Sequence, residues 1–228
     1  MQIGILQCGH TPPGVAEAHG DYDALFHRLF AGQGLSFTTW NVVDMDFPAD
    51  PFAADGWLIT GSKHGAYEPH AFIPPLEDFI RATHAAKRPL IGICFGHQII
   101  AQALGGRVEK FEGGWAIGRA AYALDGAPLH LNAWHQDQVI EPPESARTLA
   151  ASDFCAHAAL RYGDHILTMQ PHPEIPDDVL ATYLDTRGQD AAFPADIIAQ
   201  ARADIGRPSD EAQVATMLAT FLKEARQP

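Results

Sequence analysis

The residues of this chain best suited to chemistry are the thiol of Cys94, the imidazole of His172 and the carboxylate of Glu174. Cys94 lies in Leu90-Ile91-Gly92-Ile93-Cys94-Phe95-Gly96-His97-Gln98, where an apolar run of strand type meets a Gly-x-Cys-x-Gly turn and a helical pattern begins. Glycines on both sides of one reactive residue permit a tight strand-to-helix turn that other side chains would obstruct. Such a turn lifts the central side chain to the rim of a sheet, at a helix N-terminus, where the helix dipole favours the nucleophilic thiolate. The competing reading is a small buried cysteine that ends a core strand.

A thiol nucleophile needs a base, and the 12 histidines of the chain make any one of them a weak candidate by count alone. His172 stands apart because it follows a second apolar run, in Ile166-Leu167-Thr168-Met169-Gln170-Pro171-His172-Pro173-Glu174. Pro173 biases His172 towards extended geometry, so His172 and Glu174, two residues apart, point to one face. A carboxylate so placed can orient the imidazole and stabilise its cation, as the third member of a triad does. A solvated Pro-rich loop is the alternative.

Together the two segments are much more specific than either alone. The Gly92–Gln98 elbow and the Gln170–Glu174 segment resemble the class I glutamine amidotransferases, the flavodoxin-like triad family. Ile59-Thr60-Gly61-Ser62 and Trp134-His135-Gln136-Asp137 support the resemblance, which runs in the family's order over residues 2 to about 175. The likeness is greater to free-standing hydrolases, among them plant γ-glutamyl peptidases, than to domains fused to a synthetase.

The resemblance implies a flavodoxin-like three-layer α/β sandwich with a central, mostly parallel sheet. It implies that Cys94 attacks a γ-glutamyl amide, His172 shuttles the proton and Glu174 orients His172. The oxyanion hole would combine the Phe95 N–H with the Gly61-Ser62 turn, although Ser62 stands where the family usually has a second glycine. Gln98 and the segment Trp134, His135, Gln136 and Asp137 would bind the glutamyl end of the substrate. The expected activity is glutaminase-type hydrolysis of glutamine through a γ-glutamyl thioester. The alternatives are a self-contained hydrolase of γ-glutamyl peptides or conjugates and a non-catalytic binding or regulatory module. A homodimer and a separate synthetase subunit remain open as partners.

Composition fits this expectation. A chain of 228 residues at 46% hydrophobic can bury one substantial core, so residues 1–228 are expected to form one domain, with a catalytic core to about 176 and a helical extension over about 177–228. The formal charge of −13, without clustered Lys and Arg, argues against nucleic acid. Cys8, Cys94 and Cys155 form neither a disulfide framework nor a zinc-knuckle pattern. No H-E-x-x-H, EF-hand loop or phosphate-cradling Gly-x-x-x-x-Gly-Lys occurs, so neither a metal nor another cofactor is expected. With no signal-peptide pattern and no apolar run of membrane-spanning length, no membrane partner is expected and the cytoplasm is the default location.

The positioning elements alternate in α/β fashion. Strands are expected at Gln2–Gln7, Phe37–Val43, Trp57–Thr60, Leu90–Ile93 and Ile166–Met169, and helices at Tyr22–Ala31, Phe72–Ala86 and Phe95–Leu104. Residues 107–148 read as irregular antiparallel pieces. Helices are expected again at Asp177–Asp185, Ala195–Ile205 and Asp210–Arg226, the last with Val214, Met217, Leu218, Phe221 and Leu222 on one apolar face. This tail could be a lid, a dimer surface or a packed brace. Cys94, Gly61 and His172 each follow a strand's carboxyl end, where open α/β sheets place their chemistry. His10, Cys8, the Lys63–Glu68 loop and Trp115 are secondary candidates for the cleft wall, each with a solvated-loop or packing alternative, and His97 should face away from the thiol.

Overall fold

A computed structural model describes residues 1–225; the end of the expected last helix, at Arg226, lies outside the described residues. The chain begins with β1 (Gln2–Leu6), α1 (Pro13–His19), α2 (Tyr22–Leu29), β2 (Ser36–Trp40), β3 (Gly56–Ile59) and α3 (Ile73–Ala85). The elbow joins β4 (Leu90–Ile93) to α4 (Phe95–Ala103). Short strands follow as β5 (Arg107–Lys110), β6 (Ala116–Leu124), β7 (Ala127–His135), β8 (Asp137–Glu141), β9 (Ala146–Ala151), β10 (Ala159–Tyr162) and β11 (Ile166–Met169). The chain closes with α5 (Asp177–Arg187), α6 (Ala195–Asp204) and α7 (Glu211–Glu224).

The large sheet has the order β2-β1-β3-β4-β11-β10-β9-β6-β7. Its first five strands are parallel, and β11 begins an antiparallel continuation through β10, β9, β6 and β7. β3, β4 and β11 are buried at every position, as expected of central parallel strands covered on both faces. On one face Ile3, Ile5, Leu58, Ile91 and Met169 pack with Phe26 of α2 and Val214, Leu218 and Leu222 of α7. On the other, Trp57, Ile59 and Leu90 pack with Leu76 and Ile80 of α3 and Ile99 and Ile100 of α4. The Trp57 ring covers Gly4 so closely that a Cβ there would lie 2.2 Å from it.

The expected elements appear with small shifts, apart from β2. It ends at Trp40 instead of Val43: its neighbour β1 ends at Leu6, the Gln7 amide donates to Trp40 O, and the Gln7 carbonyl accepts from Val43 only after the chain has turned. Val42–Asp44 then form a 3₁₀ turn that closes on Met45 at φ +67°. The expected antiparallel pieces between 107 and 148 are β5 paired with β8 and β6 paired with β7. The tail divides by role: α7 is a brace within the core, whereas α5 and the segment after it reach the cleft described below. No helix among the described residues is long and apolar enough to cross a membrane.

Candidate active site

β4 is flanked in register by β3 and β11, so the residues leaving these three strands meet at one rim. They are Gly61 after β3, Cys94 after β4 and His172 after β11. Cys94 adopts φ +52° and ψ −104°, a strained conformation for any residue with a Cβ. The flanking glycines answer a steric demand. A Cβ at Gly92 would lie 2.5 Å from Gly96 O, and one at Gly96 would lie 2.3 Å from Ile59 O. No side chain fits where the α4 backbone crosses β3 and β4 this closely, and the Gly96 amide uses the approach to donate to Thr60 O.

His172 is extended, donating its backbone N–H to Asn132 O on β7. Its Nδ1 lies 2.7 Å from Glu174 Oε1, with both side chains buried, and the ring lies within electrostatic reach of the Cys94 sulfur. Burial alone would lower the His172 pKa, but Glu174, through its charge and its hydrogen bond, and the neighbouring Cys94 outweigh it. The imidazole is held well above its ordinary value. Gly61 adjoins this pair: a Cβ there would sit 3.2 Å from His172 Cε1 and 3.9 Å from Cys94 Cβ. Neither Gly61 nor Ser62 has a positive φ, so the turn accommodates Ser62 without strain, and its Oγ accepts from the His64 amide.

These groups open onto a cleft of about 630 Å³, within the usual range for small-molecule sites. Gln98, Trp134, His135, Gln136 and Asp137 all line it, together with Ser62, Cys94 and His172. Gln98 Nε2 donates to Asp137 O and Gln170 Oε1, which ties the 134–137 segment to the elbow helix. Asp137 is partly buried, which raises its carboxyl pKa against the opposing hydrogen bond from Tyr67. Burial and Asp137 in turn push the Tyr67 hydroxyl up to about 12. Both His135 ring nitrogens are buried without a protein partner, and burial takes this imidazole down to about 3.

The secondary candidates separate cleanly. His10, Lys63, His64, Gly65, Tyr67, Glu68 and Trp115 line the cleft. Cys8 is fully buried, its pKa driven up by desolvation, and its thiol donates to Leu6 O at 3.5 Å, so it plays no part at the rim. His97 is turned inward, with Nδ1 2.8 Å from Thr168 Oγ1, and burial lowers its pKa to about 3.

Sequence reasoning missed part of the wall. Tyr22 and Pro12 come from the start of the chain, and Tyr183, Arg187 and Phe193 from the C-terminal extension. Phe193 packs edge-on against Trp115 and Trp134, with centroids 4.8 and 5.2 Å apart. The aromatic residues themselves gave the signal, but their convergence depends on α6 packing on β6, which brings the segment between α5 and α6 back to the cleft. A larger cavity of about 930 Å³ lies near the amino ends of β4 and β11, lined by Arg88, Pro89 and His165, and contains none of the Cys94 group.

Comparisons with known proteins bear on the family and the fold. Residues 23–180 match the family model described as glutamine amidotransferase class-I. Gamma-glutamyl peptidase 2 of Arabidopsis thaliana is 30% identical, over 93% of this chain and 92% of its own length. A glutamine-hydrolyzing GMP synthase subunit of Halobacterium salinarum is 30% identical over 71% of this chain and 87% of its own length. The crystal structure of a glutamine amido transferase from Methylobacillus flagellatus superposes with a TM-score of 0.77 at 22% identity, covering 99% of this chain and 93% of that one. A mixed α/β fold with a large, mostly parallel central sheet, a family-model match over most of the chain and a full-length relative lead to one assignment: the chain belongs to the glutamine amidotransferase class-I family.

Proposed function

We propose that this protein hydrolyses γ-glutamyl amides through Cys94 without a synthetase partner. The observation that carries the reading is that Cys94 and His172 line one cleft, with His172 hydrogen-bonded to Glu174 and its cation favoured by Glu174 and Cys94 together. Cys94 sulfur adds to the amide carbonyl carbon. The oxygen becomes an oxyanion facing the Phe95 N–H and the Gly61-Ser62 turn, where preorganised donors typically contribute a few kcal/mol each. His172, cationic beside Glu174, gives its Nε2 proton to the leaving nitrogen as the carbon–nitrogen bond breaks. This leaves a γ-glutamyl thioester and a free amine. Water then loses a proton to His172, attacks the thioester and releases glutamate and the Cys94 thiolate. Gln98 and the Trp134–Asp137 segment hold the glutamyl end.

A leaving group larger than ammonia is supported by the wall beyond the triad. Trp115, Trp134 and Phe193 form an aromatic surface in the same cleft, and Arg187 lies over the Phe193 ring at 5.7 Å. The full-length similarity to a protein named a gamma-glutamyl peptidase favours the same reading. Glutaminase action for a separate synthetase is the second reading, favoured by the similarity to the Halobacterium salinarum GMP synthase subunit. Incubating the purified protein alone with γ-glutamyl peptides and with glutamine, and following free glutamate by mass spectrometry, separates the two. Release from the peptides is expected. Silence on the peptides, with Cys94 still labelled by a glutamine-like electrophile, would replace this proposal with the partner-dependent one.

A further inference from the structure

His64, Glu68 and His70 sit on the loop between β3 and α3, and no step proposed above uses them. Glu68 Oε2 lies 2.8 Å from His70 Nε2 and 3.8 Å from His64 Nδ1. One donor atom from each of the three residues falls within 4.8 Å of the others. Donors bound tetrahedrally to zinc, at the usual bond length of about 2.0–2.1 Å, stand about 3.3 Å apart, midway between the two separations found here. Small side-chain rotations would therefore bring all three onto one cation.

The setting also suits a metal. The two imidazoles are already neighbours, with centroids 3.9 Å apart. Phe72 backs both rings, at 5.9 and 6.0 Å, and its own ring meets Phe95, the residue after Cys94. The side chains are 21%, 43% and 35% exposed in chain order, so the pair of histidines and the carboxylate are reachable by an ion from solvent yet held by a packed aromatic base. His64 and Glu68 also line the catalytic cleft.

We propose that His64 Nδ1, Glu68 Oε2 and His70 Nε2 form a three-ligand site for a divalent transition-metal cation of the zinc class, at the mouth of the cleft. Two imidazoles and one carboxylate make a borderline donor set that suits zinc better than calcium or magnesium, which prefer oxygen alone. Three protein ligands leave a coordination position open, and two of these ligands belong to the cleft wall. The site differs from Cys94 and His172 in residues and in location, so it stands or falls independently of the hydrolytic reading.

The test is a zinc titration of the Cys94→Ser protein against a competing chelator, which removes the thiolate as a rival ligand. One equivalent should bind, and His64→Ala or His70→Ala in the same background should weaken binding by about tenfold or more. Cobalt provides a second readout on the unsubstituted protein. A ligand-field spectrum without a thiolate-to-metal charge-transfer band is expected. A charge-transfer band, zinc binding that disappears in Cys94→Ser, or an affinity unmoved by both histidine substitutions would overturn the proposal, as would the absence of saturable binding. Calcium and magnesium at the same concentrations should fail to displace zinc; displacement by either would overturn the assignment of metal class.

Discussion

His172 Nδ1 and Glu174 Oε1 are 2.7 Å apart with only Pro173 between the two residues, both side chains buried. The proline fixes the extended geometry that turns them to one face. Glu174 can therefore orient His172 and support its positive charge, but it does not touch the reacting atoms. Glu174→Gln should lower kcat less than His172→Ala, because a neutral amide still holds the ring whereas alanine removes the proton carrier. The opposite ranking in steady-state kinetics on a γ-glutamyl peptide would exchange the two roles.

Cys94 combines the proposed nucleophile with a strained backbone, at φ +52°. Cys94→Ser should abolish turnover while circular dichroism stays unchanged; activity near that of the unsubstituted protein would remove Cys94 as nucleophile. Strain gives a second, independent measurement. Cys94→Gly should be more stable than Cys94→Ala by about 1 kcal/mol in urea, since glycine alone relieves a positive φ. Equal stability of the two variants would mean that the elbow relaxes around alanine.

The elbow glycines predict the converse. Gly96→Ala would set a Cβ 2.3 Å from the Ile59 carbonyl oxygen, a backbone atom that cannot rotate away. A loss of about 1–3 kcal/mol is expected, the usual cost of forcing atoms into a packed core. Activity should fall as well, because α4 must lift away from β3 and carries Phe95 with it. A variant with native stability would show that the approach between α4 and β3 is looser than these distances imply.

How much of this was legible in the sequence depended on the range of the interactions. Cys94, Gly92 and Gly96 are set by a local turn, and His172 and Glu174 by a two-residue spacing, so short motifs singled out residues that the fold places at one rim. The central strands were legible because burial on both faces leaves continuous apolar runs at Trp57–Ile59, Leu90–Ile93 and Ile166–Met169. The end of β2 was not, because it follows from where the neighbouring β1 stops. Tyr183, Arg187 and Phe193 belong to a tail whose path over β6 and β7 is a tertiary matter. The close approach of α6 to β6 at Gly118, where a Cβ would lie 2.5 Å from that of Ala201, had no local signature. The His64-x-x-x-Glu68-x-His70 spacing occurs in a loop, where no helical or strand period marks three side chains as neighbours.

Stability should be greatest near pH 6.5, because three buried histidines pull in opposite directions. Burial lowers His97 and His135 to about 3, so the unfolded chain, with ordinary histidines near 6.5, binds more protons than the fold as the pH drops. Their contribution is present above about pH 6.5 and is lost as the pH falls towards 3, with each able to add up to about 1.4 kcal/mol per pH unit to the slope. His172 acts the other way. Its raised pKa gives stability that is complete below the unfolded value and is lost as the pH rises through the folded one. Urea unfolding at several pH values should therefore show losses on both sides of the maximum. The acid limb can be assigned with His135→Phe, which forfeits no protein hydrogen bond because both ring nitrogens lack a partner, and which retains a ring beside Phe154. That variant should have a shallower acid limb with its alkaline limb unchanged. An acid limb as steep as in the unsubstituted protein would show that His135 takes up its proton in the folded state at an ordinary pH, through water or a ligand in the cleft.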